Sequence, residues 1–458
     1  MLSLRLCISG SKRTIFSFAR KSRWHLPPHP GPPIPQEQRI DEEKCPGYNP
    51  RSYYPAKPGE VLNDKYQLLV KAGFGTQSTV WIARDVSRFR WAAEEAVTIK
   101  IVNHNNSSNA QNEIEIAQRI DSTNPSHRGR SILRTCLDNF EVIGPEGKHT
   151  CLIYQPMREP LWLFEDRLVD ARLPLWMAKL YIYILLDGLN YLHSECKIAH
   201  TDLNCSNVLM SFENDDVLPA FLEAKQPMEY KIDPETGRTI YLCHNNFAPL
   251  EDKGIKSMIP HLADFGNAII LDDGPIEDGK PLETVGLYPI HPDHYRAPEV
   301  ILGFGWGFQA DIWNLGVMIW NPIGPKNLFR QAQDDRGQYD AKAHLAEMIA
   351  LLGPPPERLL TRANRMSKQD WPSPIWGLSG RRCKNSQEFF GGPFFGADGN
   401  FLYKGLIPDR SLEDTVPFLE GKDKEEFLSF ARDMLVWHPA DRKTPSELMK
   451  HPFLDLDI

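Results

Sequence analysis

The apolar residues of this 458-residue chain change their period once, and that change restricts the fold more than any other feature. Between residues 66 and 154 they come in short strand-like runs at 66–70, 79–83, 96–102, 137–143 and 150–154, with turn residues between them. One helical stretch, 111–120, interrupts the series, with Ile114, Ala117 and Ile120 spaced for one face. From residue 176 onward the spacing is helical. The stretch 176–192 aligns Leu180, Ile184, Leu185, Leu189 and Leu192, and helices are expected again at 309–320, 344–352 and 424–437. At about 100–200 residues per domain, the length allows two to four units. The pattern predicts an α+β chain: a small β-rich lobe, then a larger α-helical one, with a ligand cleft expected between them.

Composition removes other classes. The chain is 41% hydrophobic and 24% charged, which excludes a disordered, collagen-like or coiled-coil body. No apolar run reaches the ~18 residues of a membrane span. The net charge of −8 argues against a dedicated nucleic-acid binder. That average conceals an asymmetry. Residues 1–36 hold six basic residues (Arg5, Lys12, Arg13, Arg20, Lys21, Arg23) and no acid. The remainder carries 46 basic and 60 acidic residues, a net charge of −14. Such a start has the profile of a mitochondrial transit peptide, with a disordered basic tail as the plain alternative. The expected address is cytoplasm and nucleus for a tail, the mitochondrion for a cleaved leader. Six prolines within residues 25–35 read as an extended linker, with ordered structure expected from about Gly47. The eight cysteines form no CxxC pair, so neither zinc nor a disulfide framework is indicated.

Five motifs carry chemistry. In residues 71–85, Gly73 and Gly75 sit at a strand–turn–strand junction, where glycine lets backbone N–H groups approach phosphate oxygens. Ser78 stands where a third glycine would complete G-x-G-x-x-G, so this motif alone is weak. Lys100 closes an apolar strand, and its ammonium needs a partner. Glu113 in the next helix is the natural one and Glu115 the alternative. Asp202 and Asn207 lie five apart in HTDLNCSNVLM, and Asp264 lies in LADFG; two acids and an amide on separate loops suit a hard cation such as Mg²⁺. HYRAPEV carries Glu299, and ADIWNLGVMIW carries Asp311.

Their order resembles the signature set of the protein kinases. The resemblance covers about residues 47–454 and is closest to the SR-protein kinase family of the CMGC group, fungal type. It rests on GYNPRSYYPAKPGEVLNDKY, FGTQSTVW, LDGLNYLHSECKIAHTDL, HLAEMIALLGPPP and WHPADRKTPSELMKHPFL. It implies a bilobal kinase fold with the ATP site in the cleft: an N-lobe at 47–157 and a C-lobe at 158–454, the latter holding an insert at 211–260 that reads as a mobile acidic loop. By the resemblance Ala72, Gly73, Phe74, Gly75, Ser78 and Val80 cover ATP. Lys100 contacts its phosphates and is held by Glu113, Tyr154 is the gatekeeper, and Gln155 to Met157 form the hinge. Asp202 accepts the substrate proton, and Asn207 and Asp264 hold Mg²⁺. Glu299 pairs with Arg442, Asp311 braces the catalytic loop, and His200 is structural. The implied partner is a protein substrate, basic and Arg/Ser-rich, taken by a monomer without nucleic acid or membrane.

One departure matters. Asn204 stands where such kinases carry a lysine aimed at the transferring phosphate, and the missing charge is worth about 2–4 kcal/mol of transition-state stabilisation. This leaves a nucleotide-binding pseudokinase as the alternative to an active serine/threonine kinase. A kinase of small molecules is a third reading.

Overall fold

The computed structural model describes residues 20–27, 31–224, 227–247, 250, 252–272, 276–277, 280–281, 285–324, 327–334, 337–377 and 380–455. Residues 1–19, half of the expected leader, lie outside them. The described chain divides into two compact units. One gathers residues up to 114, 136–158 and 212–257; the other gathers 115–135, 159–211 and 258 onward.

The first unit is built on a six-stranded antiparallel sheet. Its strands are β1 (Val61–Leu62), β2 (Tyr66–Phe74), β3 (Ser78–Asp85), β4 (Ala96–Val102), β5 (Asp138–Ile143) and β6 (Lys148–Tyr154), in spatial order β1-β2-β3-β4-β6-β5. The expected runs fall inside these strands, save for Leu137, which precedes β5. In β3 the neighbours Trp81 and Ile82, which point to opposite faces, are 2% and 1% exposed, so the sheet is covered on both sides.

Part of that cover is the insert, and here two expectations are corrected. Residues 212–257 pack with the first unit, not with the second, and they are not a solvated loop. Helix Val217–Glu223 and the hairpin Tyr230–Ile232/Thr239–Tyr241 bring Phe221, Met228, Tyr241 and Phe247 into the core of the sheet. Tyr241 meets Trp81 edge-on at 5.6 Å. Each such side chain stabilises the unit by ~1.5–3 kcal/mol on burial. The nine acids of the insert are partly spent inside the fold: Glu213 receives Arg158 at 2.6 Å, and Asp233 caps its own turn through Thr236 at 2.8 Å.

Order also begins before Gly47. The Pro-rich stretch is not a free linker, because it adds backbone to the insert hairpin. Ile34 N–H donates to the Tyr230 carbonyl at 2.7 Å, and Tyr230 N–H to the Pro32 carbonyl at 3.2 Å. Ile34 and Ile40 pack with Ile240 in a small core of their own. Lys21, 8% exposed, pairs with Glu94 at 2.7 Å, and the Trp24 backbone exchanges two hydrogen bonds with the Gln67 amide.

The second unit is helical. Helix Leu175–Asn190 buries Ala178, Tyr181, Ile182, Leu185 and Leu189, a face turned from the expected one, so that Leu180 and Ile184 are only half-buried. Helix Gln309–Met318 is buried from Ala310 to Met318. Helices Ala341–Leu352 and Gly421–Met434 match the remaining expectations. Helix Ser107–Ser122 straddles the division at 114. No helix among the described residues is long and apolar enough to cross a membrane, and the described cysteines are free.

Candidate active site

In the first unit the glycine turn joins β2 to β3. Gly73 pairs with Val80 and Phe74 with Thr79, and Gly75 N–H closes the turn on the Ser78 carbonyl at 2.9 Å. A Cβ on Gly73 would lie 3.4 Å from Val80, so the glycine keeps the hairpin surface thin there. Ala72, Gly73, Gly75 and Val80 are half-buried, Phe74 is 43% exposed, and Ser78 is buried.

Lys100 lies opposite Val80 in β4. Its Nζ is 2.9 Å from Glu113 Oε2, which decides between Glu113 and Glu115: Glu113 is 3% exposed, and Glu115 faces outward. The other Glu113 oxygen accepts the Tyr154 hydroxyl at 2.5 Å. Nothing in the spacing of residues points to that link. It depends on β4 and β6 being neighbours, with Thr98 opposite Tyr154. Gln155 is exposed and Met157 half-buried just beyond β6.

In the second unit Asp202, Asn204 and Asn207 share one loop. Asn204 Nδ2 donates to Asp202 Oδ1 at 3.0 Å and to the Asp202 carbonyl at 2.9 Å; Asn207 Nδ2 donates to that carbonyl at 2.8 Å. Asn267, three residues past Asp264, reaches Asp202 Oδ2 at 3.4 Å. Burial pushes the Asp202 carboxyl up and the Asp264 charge adds to this, against the pull of His200 and of the Asn207 and Asn267 amides. Thr201 (φ 64°) and Asp264 (φ 63°) are both in the left-handed region, at about 1–3 kcal/mol each. The loop is held there from beneath. Asp311 is fully buried and accepts from His200 N–H at 2.7 Å and Thr201 N–H at 2.8 Å, with His193 at 2.8 Å. His193 and its neighbours outweigh burial and keep the Asp311 carboxyl below its usual range. His200 Nε2 meets the Ala263 carbonyl at 3.1 Å, in keeping with a structural role. Thr201 Oγ1 donates to the Asn267 carbonyl at 2.7 Å. Glu299 and Arg442 form a buried bidentate pair at 2.6 and 2.7 Å.

The donor set suits a divalent cation. The Asn207 amide has committed its N–H to Asp202, which leaves its oxygen as the ligating atom, and Asp264 supplies a carboxylate. No group of three or more His, Cys, Asp or Glu side chains among the described residues is arranged for a metal. A pair of oxygen ligands therefore suits an ion that retains water and takes phosphate oxygens, as Mg²⁺ does.

Comparison with known proteins agrees with this geometry. The protein kinase domain family matches residues 66–223 and 247–454, leaving out the middle of the insert. A serine/threonine protein kinase of Aspergillus fumigatus is 34% identical over 91% of both chains. The serine/threonine-protein kinase SRPK of Physarum polycephalum is 28% identical over 90% of this chain and 91% of its own. The crystal structure of a kinase domain matches in fold, with a TM-score of 0.59 and 22% identity, covering 89% of this chain and all of that one. Protein kinases act on protein substrates with ATP and a divalent metal. The chain belongs to the protein kinase family, as a serine/threonine kinase similar to the SR-protein kinases.

Proposed function

We propose that the chain transfers the γ-phosphoryl group of Mg²⁺-ATP to serine in basic, Arg/Ser-rich protein segments. The observation that carries phosphotransfer is the setting of Asp202, with its carboxylate held by neutral amides on a loop fixed by a buried aspartate. A carboxylate so placed accepts the proton of a substrate hydroxyl. The glycine turn, with Gly73, Gly75, Ser78 and Val80, covers the nucleotide. Lys100, pinned by Glu113, meets the phosphates as a fixed positive charge, so little reorganisation is needed as charge spreads over the transferring group. Asn207 and Asp264 would hold Mg²⁺, which when bound neutralises phosphate charge. The Arg/Ser-rich class is supported by the resemblance to the SR-protein kinases and by the net charge of −14 over residues 37–458, which draws basic partners.

Phosphate transfer from radiolabelled ATP to an Arg/Ser-repeat peptide tests the reading. The wild-type chain is expected to label the serines, and Asp202→Asn to lose at least about a hundredfold in kcat. Equal labelling by both proteins would sink it. Labelling confined to peptides without arginine would remove the substrate class alone.

A further inference from the structure

The glycine turn is held at both ends by segments far from it in sequence. Lys71, immediately before Ala72, is 1% exposed, and its ammonium lies in a cage of Asp41 Oδ2 at 3.0 Å, the Glu42 carboxylate and the Tyr241 carbonyl at 2.7 Å. Burial would lower the Lys71 pKa, but Glu42 and Asp41 outweigh it and keep the ammonium charged; Glu42 is held ionised in turn by Lys71 and Arg238. The Lys71 carbonyl accepts from His244 N–H at 2.8 Å, so the insert takes up the backbone at this edge of β2.

Glu42 also receives Arg238 at 2.7 Å. The Arg238 guanidinium sits 5.0 Å from the centre of the Tyr53 ring. The buried Tyr53 hydroxyl reaches the tip of the turn, 3.0 Å from both the Gly75 and the Thr76 carbonyls. Asn103 adds a contact to Thr76 at 3.4 Å, and its N–H donates to the Gln77 carbonyl at 2.8 Å. A chain of ion pairs, one cation–ring contact and hydrogen bonds thus runs from the strand entering the turn, through Glu42, Arg238 and Tyr53, to the carbonyls at its tip.

We propose that Tyr53, Glu42 and Arg238 are positioning residues that preorganise the glycine turn and so set the affinity for ATP. The inference rests on the reading of residues 73–80 as the nucleotide cover. The physical ground is preorganisation: a turn whose carbonyls are already tied loses less freedom when a ligand settles under its N–H groups. None of the three is among the residues read as covering ATP, and Tyr53 reaches the turn through its carbonyls, so the effect belongs on affinity rather than on the chemical step.

Tyr53→Phe keeps the ring, its stacking and its volume, and removes only the hydroxyl. In the full-length chain, the Kd of Mg²⁺-ATP measured calorimetrically is expected to rise about threefold to tenfold, with the KM for peptide unchanged. Amides of residues 73–78 should exchange hydrogen faster without nucleotide. Glu42→Gln should shift the Kd the same way, with a lower Tm. An unchanged Kd and unchanged exchange in Tyr53→Phe would overturn the proposal. So would a Kd, a peptide KM and a Tm that all worsen together, since that is what general loosening produces. A wild-type chain that binds no ATP would overturn the nucleotide reading and this inference with it.

Discussion

Asn204 brings no charge to the Asp202 loop and supplies geometry instead. Its amide donates twice to Asp202, and its oxygen accepts the Ser206 N–H at 2.9 Å. Asn204→Ala is therefore expected to lower kcat by about tenfold to a hundredfold, the scale of a lost hydrogen bond to a charged group, with little change in the KM for ATP. Steady-state kinetics against both substrates check this. A second residue-scale expectation concerns Glu165. It is 7% exposed, its Oε1 has no hydrogen-bond partner among the described residues, and burial with the nearby Asp166 charge pushes its carboxyl up to about 8. An acid raised on folding costs no stability below its unfolded value of 4.5, and an increasing amount as pH climbs from there to about 8. Glu165→Gln should be stabilising at pH 8 relative to pH 5 by roughly 3 kcal/mol, read from denaturant unfolding at the two pH values. Equal effects at both would contradict it. At this scale the sequence was readable where chemistry dictates a partner, as in the pairing of Lys100 with Glu113. It was silent where a partner comes from a neighbouring strand, as with Tyr154 on Glu113.

Between elements, the N-terminal extension and the insert support each other. Lys231 of the insert hairpin binds Glu43 at 2.8 Å and the Gln36 and Gln38 carbonyls at 3.1 and 2.9 Å. Neither segment shows periodicity, because their joint is made of backbone hydrogen bonds, single ions and scattered apolar side chains rather than of an apolar stripe. One signal was available. The run Val80-Trp81-Ile82-Ala83 in β3 does not alternate, and a strand of that kind needs cover on both faces. Removing residues 1–46 is expected to lower Tm by more than about 5 °C, because Lys71 is left buried beside a vacated acidic pair. Thermal unfolding with unchanged Tm would restore the view of the segment as a linker.

At the level of the molecule, the order of motifs announced the family, and the single change of period announced a β-rich unit and a helical one. What the sequence concealed was the membership of the units, since each is assembled from separated stretches. The charge asymmetry also reads differently. Of the six leader cations, Lys21 is bound into the first unit through Glu94, and the Arg20 backbone bridges to Phe89.

The distance between Lys71 and Tyr241 has a consequence for synthesis. They are 170 residues apart. At ~5–20 residues per second a ribosome needs about 10–35 s to deliver the second after the first. Throughout that interval the nascent strand carries an ammonium without its carbonyl and a sheet edge without its cover. The first unit thus stays unfinished until the insert arrives, after part of the second unit has already emerged, and until then its open sheet edge must be kept from pairing with its neighbours.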